Sequence, residues 1–162
     1  RKQPIQAAFA FQFGAGYSPC IEHIACRFNS LVQLLFAAEV LVNLVNCSNN
    51  RLEGEIDFNK YAALKTLSCG GNNLTSINVN ECKGLTSISC QNTKITALEV
   101  STLTNLESIV ANDCLISVMD CSNNRALKTL YLQGNPLTSL VLAKGQSIAD
   151  IKLDNFDVIS YK

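Results

Sequence analysis

The sequence predicts a mainly β solenoid: stacked turns of about 21 residues, with little or no helix. Three observations predict it. Strings such as LKTLSCGGNNL from Leu64, LTSISCQNTKI from Leu85 and LKTLYLQGNPL from Leu127 share one frame, L-x-x-L-x-C/L-x-x-N-x-L. The frame starts at 21, 42, 64, 85, 106, 127 and 148, always 21 residues apart except for one step of 22. In every complete repeat, positions 1, 4, 6, 11, 14 and 16 are apolar, counting Ala and Cys, although only 48% of the chain is hydrophobic. The pentapeptide CSNNR also occurs twice, at Cys47–Arg51 and Cys121–Arg125, offset by three turns and a half. Each turn therefore reads as two similar halves, strand–corner–strand–corner.

Apolar residues two apart point to one face of a strand. Positions 4 and 6 make a first arm, positions 14 and 16 a second, and 21 residues leave little room for a helix between them. One such turn cannot bury its apolar edge alone, but stacked turns share a continuous core. Before the first repeat, residues 1–20 do not fit the frame. There Ile5, Ala7, Phe9, Phe11 and Phe13 alternate as a strand with one apolar face would, and a cap strand over the open end is expected. The basic start and apolar run of these residues read as an already processed or trimmed chain, not a targeting signal. In the 22-residue repeat, Ile56 and Phe58 take the second-arm positions one place late, so the extra residue lies near Gly54. The turn from 148 is partial, and Phe156 at its corner position suggests a C-terminal cap closing the core with an aromatic ring.

These tandem strings resemble the leucine-rich repeat family, and more narrowly its short bacterial subclass common in the Bacteroidetes, over about Ile21–Lys162. The resemblance implies a right-handed solenoid of seven turns with a parallel sheet on its concave face. It also implies a role in protein binding, no catalytic residues, and an extracellular or cell-surface location. In such repeats the Asn of position 9 sits inside the corner, where its amide bonds backbone groups that have left the strand. Asn29, Asn50, Asn72 and Asn135 match it, and Asn124 does so in the second half of its turn. Thr93 and Cys114 stand in at this position and can satisfy fewer bonds.

Of eight cysteines, Cys26, Cys47, Cys69 and Cys90 fall at position 6 of successive turns, Cys121 at position 16 and Cys114 at a corner. A column of small core residues is expected here, not a metal site, because zinc sites favour close C-x-x-C pairs and the chain has none. Cys20 and Cys26 could staple the N-terminal cap, and Cys82 is expected to be only partly buried. Eight alkylatable thiols without reductant is the expected state.

Positions 3, 5 and 7 alternate with the inward ones and face the concave side. Their middle is short and polar, mostly Ser, Thr and Asn, while larger residues gather at the ends. The candidate binding residues are Tyr131, Gln133, Lys152 and Asp154, with Gln91 and Asn112 nearer the middle. At the far end stand His23 and Arg27. Position 15 carries Asp57, Asn78, Glu99 and Asp120, a column that could hold Ca²⁺ but more simply forms an exposed stripe.

Thirteen basic and thirteen acidic residues give a net charge of zero, which offers nucleic acid or an anionic membrane no long-range attraction. The longest apolar-rich stretch, Leu31–Val45, is interrupted by polar residues and shorter than the roughly 20 residues a spanning helix needs. The lone His23 has no nucleophile placed beside it by any motif, and no phosphate-binding Gly loop occurs. The sequence thus reads as a non-enzymatic binding module for a protein or glycan, without cofactor or metal and expected as a monomer. The alternative is a structural spacer or assembly unit that associates through the solenoid ends.

Overall fold

The computed structural model describes residues 42–162 and the backbone of His23–Ala25. The expected cap strand in residues 1–20, and Cys20, Cys26, Arg27 and Asn29, lie outside the described residues. Twelve strands follow one another: β1 (His23–Ala25), β2 (Leu44–Asn46), β3 (Glu53–Asp57), β4 (Thr66–Ser68), β5 (Asn73–Asn78) and β6 (Ser87–Ser89). Then come β7 (Ser108–Val110), β8 (Val118–Asp120), β9 (Thr129–Tyr131), β10 (Ser139–Leu142), β11 (Asp150–Lys152) and β12 (Ile159–Tyr161). No helix is present among the described residues.

The first arms stack into a seven-stranded parallel sheet in the order β1-β2-β4-β6-β7-β9-β11. Its register reproduces the sequence period: His23 pairs with Leu44, Leu44 with Thr66, Thr66 with Ser87, Ser87 with Ser108, Ser108 with Thr129 and Thr129 with Asp150. In the interior strands the middle residue is buried and its two neighbours are half-buried, as one-sided strands require. The inward side chains Leu64, Leu67, Leu85, Ile88, Leu106, Ile109, Leu127 and Leu130 merge into one core with the second-arm residues Ile77, Leu98, Met119 and Leu140.

The second arms are less regular than two equivalent halves would be. They split into a pair, β3-β5, and a three-stranded sheet, β12-β10-β8. The second arm of the turn from 85 forms no strand, although Leu98 and Val100 still point into the core. The β3-β5 ladder shifts register between Gly54 and Glu55, at the expected place of the extra residue, and Gly54 has a φ of 73°. At the end of the chain Leu140 pairs with Ile159, so the last turn closes two residues early. The solenoid makes about six turns where seven were expected, and its last turn is short. Phe156 falls in the shortened corner and is 53% exposed, so it does not fill the core there.

The corners show what the 21-residue period is for. Asn72 Nδ2 donates to the carbonyls of Cys69 and Gly70 in its own turn and to Cys47 O in the preceding one, at 2.7, 3.3 and 3.0 Å. Its Oδ1 accepts Leu52 N at 3.1 Å. Asn135 repeats the arrangement with Leu132 O, Ala111 O and Ile116 N. Asn50 bonds Cys47 O and Ser48 O. In the second corner Asn124 Nδ2 reaches back to Val100 O and Leu103 O, both at 2.8 Å. Asn72, Asn124 and Asn135 thus bond carbonyls of the preceding turn, tying successive turns together while supplying buried backbone groups with partners.

The residue before the corner Asn was not anticipated. Asn49, Gly71, Asn92, Asp113 and Gly134, one per turn, all have positive φ. Only Gly, Asn and Asp adopt this left-handed conformation readily, and only they occur in this column among the described residues. Glycine is also needed sterically, since a Cβ on Gly71 would collide with the Asn49 side chain and one on Gly134 with Asp113.

Candidate functional site

The candidate binding residues lie on the outward side of the seven-stranded sheet. Tyr131 and Lys152 are direct cross-strand partners on β9 and β11. Lys152 Nζ sits 3.9 Å from the centroid of the Tyr131 ring, a cation–π arrangement in which the ring face attracts the ammonium. The Tyr131 hydroxyl donates to Asp150 Oδ2. Its contact with Tyr131 pushes the Lys152 pKa upward, so this amine stays cationic. Asp154 Oδ2 accepts Gly134 N at 2.6 Å and ties the β11 strand end to the preceding corner. The structure therefore brings Tyr131 and Lys152 together and adds Asp150, a residue the sequence reading did not single out, while Asp154 is held at the neighbouring corner. The signal was available, since Asp150 is two residues from Lys152 and so lies diagonally across from Tyr131 in a ladder of this register. Gln133 is exposed beside them.

Gln91 and Asn112 are half-buried and locally engaged. Gln91 Oε1 accepts from Ser89 Oγ at 2.6 Å, and Asn112 Nδ2 donates to Asp113 Oδ2 at 2.8 Å. Between them and β2 the sheet presents Thr66, Ser68, Ser87, Ser89 and Ser108, all half-buried and none charged. From Leu44 to Gln133 this face is neutral and rich in hydroxyls, and its charges gather on β11 and Asp154.

The acidic column on the second arm has a local explanation. Asp57 Oδ1 accepts Asn59 N at 2.9 Å, Asn78 Oδ1 accepts Asn80 N at 3.5 Å, and Asp120 Oδ1 accepts Ser122 N at 2.9 Å. A short side-chain oxygen bonding the backbone two residues on makes an Asx turn. Asp and Asn recur at position 15 because they start the second corner. Among the described residues no three His, Cys, Asp or Glu side chains come together as metal ligands would.

Asp120 does a second job. Its Oδ2 accepts from Lys162 Nζ at 2.6 Å, two turns away, and Ser122 Oγ donates to Oδ1. Lys162 and then Ser122 hold its carboxyl at about 2, below the usual aspartate value. A depressed folded-state pKa stabilises the fold above the unfolded value, near 3.9, and that contribution disappears as pH falls toward the folded one. The pair is well exposed, so its contribution is under about 1 kcal/mol. Asp120→Asn is expected to lower the melting temperature slightly at pH 7. Melts recorded from pH 7 to pH 2 should show the gap from wild type closing between about pH 4 and 2; a constant gap would assign the loss to the Ser122 turn instead.

Cys47, Cys69, Cys90 and Cys121 are wholly buried, and so is Cys82, which was expected to be partly exposed. Cys82 lies in the second corner, and its Sγ–H donates to Phe58 O at 3.1 Å. Burial pushes the thiol pKa values up, to about 11 for Cys82 and about 12 for Cys121. Cys69, Cys82, Cys90, Cys114 and Cys121 are free thiols.

No protein-family model and no curated protein matches the chain. Several solved structures do. A leucine-rich repeat protein of Leptospira interrogans aligns with a TM-score of 0.56 at 15% identity, over 86% of this chain and 39% of that one. An internalin of Listeria monocytogenes aligns at 0.49 and 18%, over 75% of this chain and 40% of its own. The functional domain of InlJ from the same organism, which includes a cysteine ladder, aligns at 0.38 and 18%, over 75% and 39%. The chain thus spans about two-fifths of the length of these structures. The first likeness shows a shared fold, the parallel-strand solenoid of leucine-rich repeats.

Proposed function

We propose that this leucine-rich-repeat solenoid is a non-enzymatic binding module that presents its seven-stranded sheet to a protein partner, outside the cell or on its surface. The observation that carries the reading is the composition of that sheet face. It is an uncharged run of half-buried hydroxyls and amides ending in one aromatic cluster, Tyr131 with Asp150 and Lys152. Short polar side chains supply adaptable hydrogen bonds at low entropic cost, and a tyrosine held in place by two neighbours is a suitable anchor. A glycan would use the same groups and is the other ligand class that suits them.

The test separates the sheet face from the rest of the surface. Immobilised chain is exposed to extracellular extracts, and each captured partner is then titrated against three variants. Ser89→Arg places a long cation in the middle of the sheet face, Tyr131→Ala removes the anchor, and Glu99→Arg alters the exposed second arm. Tyr131→Ala should weaken the interaction at least about tenfold, Ser89→Arg should abolish it, and Glu99→Arg should leave it unchanged. A partner that binds Ser89→Arg as well as wild type would sink the reading.

A second reading, an assembly unit associating through its ends, is favoured by one feature. β11 and β12 are terminal strands of their sheets, with Tyr161 59% exposed beside them, and strand edges recruit strands. Light scattering at rising concentration distinguishes the two: a monomer throughout supports the binding module.

A further inference from the structure

One pair of cysteines differs from the rest of the buried column. Cys90 occupies position 6 of its turn, like Cys47 and Cys69, and points into the core. What faces it from the next turn is unusual. Cys47 has Asn72 of the next turn beside it, an amide that bonds Cys47 O and the surrounding carbonyls. Cys90 instead meets Cys114, which stands in the corner position that Asn72 and Asn135 hold elsewhere. Cys114 Sγ lies 3.3 Å from Cys90 O and 3.2 Å from Thr93 Oγ1, which sets its thiol directly against Cys90. The replacement of asparagine by cysteine has therefore placed two thiols together across adjacent turns.

We propose that Cys90 and Cys114 form a redox-active dithiol, a modification site that closes to a disulfide linking two turns when the chain meets a small-molecule disulfide. Cys114 is the attacking member. Cys114 is itself buried, at 3% exposed, but it lies in a corner between exposed residues, Asp113 and Leu115, whereas Cys90 is wholly enclosed in the core. Hydrogen bonding from the Cys90 thiol, followed by Thr93, also lowers the Cys114 pKa to about 6, and the same interaction together with burial raises that of Cys90. Only the thiolate is nucleophilic. Cys114 thiolate, its proton lost to water, attacks one sulfur of the disulfide RSSR, forms a mixed disulfide and expels one thiolate RS⁻. Cys90 then loses its proton, attacks the Cys114 sulfur and expels the second RS⁻. Two protein thiols are oxidised to one disulfide, and RSSR is reduced to two RSH.

The test is differential alkylation of the intact chain after incubation with oxidised glutathione. After acid quenching, denaturation and alkylation, the expected result is two fewer alkylated thiols and a tryptic cross-link between the peptides carrying Cys90 and Cys114. Ile95–Arg125 carries both Cys114 and Cys121, so a parallel run with Cys121→Ser must retain the link. Cys114→Ser, which keeps a donor for Cys90 O, must lose it, with Cys90 recovered fully alkylated; Cys114→Thr repeats the measurement should the serine variant fold poorly. Three outcomes overturn the proposal: glutathione retained on Cys114 without transfer, a link from Cys90 to Cys69, or no reaction at either thiol.

Discussion

Replacing Asn72 by alanine is expected to destabilise the fold by about 2–4 kcal/mol, among the largest effects of any polar substitution in this chain. Cys69 O loses its amide donor and Leu52 N its acceptor, while Cys47 O keeps Asn50 Nδ2 and Gly70 O keeps Asn49 N. Asn72 is 6% exposed, so water cannot readily replace these partners. A buried group left unpaired costs roughly 1–3 kcal/mol, and the sum is tempered because the alanine turn can relax toward solvent. Asn80→Ala is the control. Asn80 is half-buried, and its side chain makes none of these cross-turn bonds, so a change within about 0.5 kcal/mol is expected. Urea midpoints of the two variants measure the difference; equal midpoints would mean that corner amides are not what holds successive turns in register.

The same residue shows why so much of the fold was legible. The period at which Asn recurs is the period at which a carbonyl must be met in the turn below, so spacing in sequence and stacking in space are one constraint. The sheet register therefore follows the repeat starts, including the longer step from 42 to 64. What escaped the sequence reading is local chemistry that the apolar frame does not carry. The left-handed residue at Asn49, Gly71, Asn92, Asp113 and Gly134 is visible only once its conformation is known, because Asn and Asp there look like ordinary surface polarity. The Asx role of Asp57 and Asp120 was hidden in the same way behind their charge. The early closure at Ile159 was missed because no complete repeat follows to set the phase. On the sheet face, the sequence placed Tyr131 and Lys152 side by side but not the hydroxyl contact to Asp150, which depends on side-chain reach.

Ile109→Ala, on an interior strand of the seven-stranded sheet, is expected to cost about 2–5 kcal/mol. Ile109 is fully buried on β7, packed between Ile88 and Leu130 of the flanking strands, and its truncation opens a cavity that two neighbouring turns cannot both close. The informative comparison is Ile151→Ala, the same position 4 on β11. Ile151 is only partly buried, and β11 has one partner strand, β9, in the sheet. If stability is a sum of turns and of interfaces between nearest neighbours, the interior truncation disturbs two interfaces and the terminal one disturbs one. Ile151→Ala should then cost about half as much or less, and its loss should concentrate in amide protection of β11 and β12 with β4 to β7 left intact. Ile109→Ala should lower protection on both sides of β7. Equal losses from the two variants, with uniform loss of protection, would instead mean that the solenoid melts as one cooperative unit and that the last turn is as firmly held as the middle.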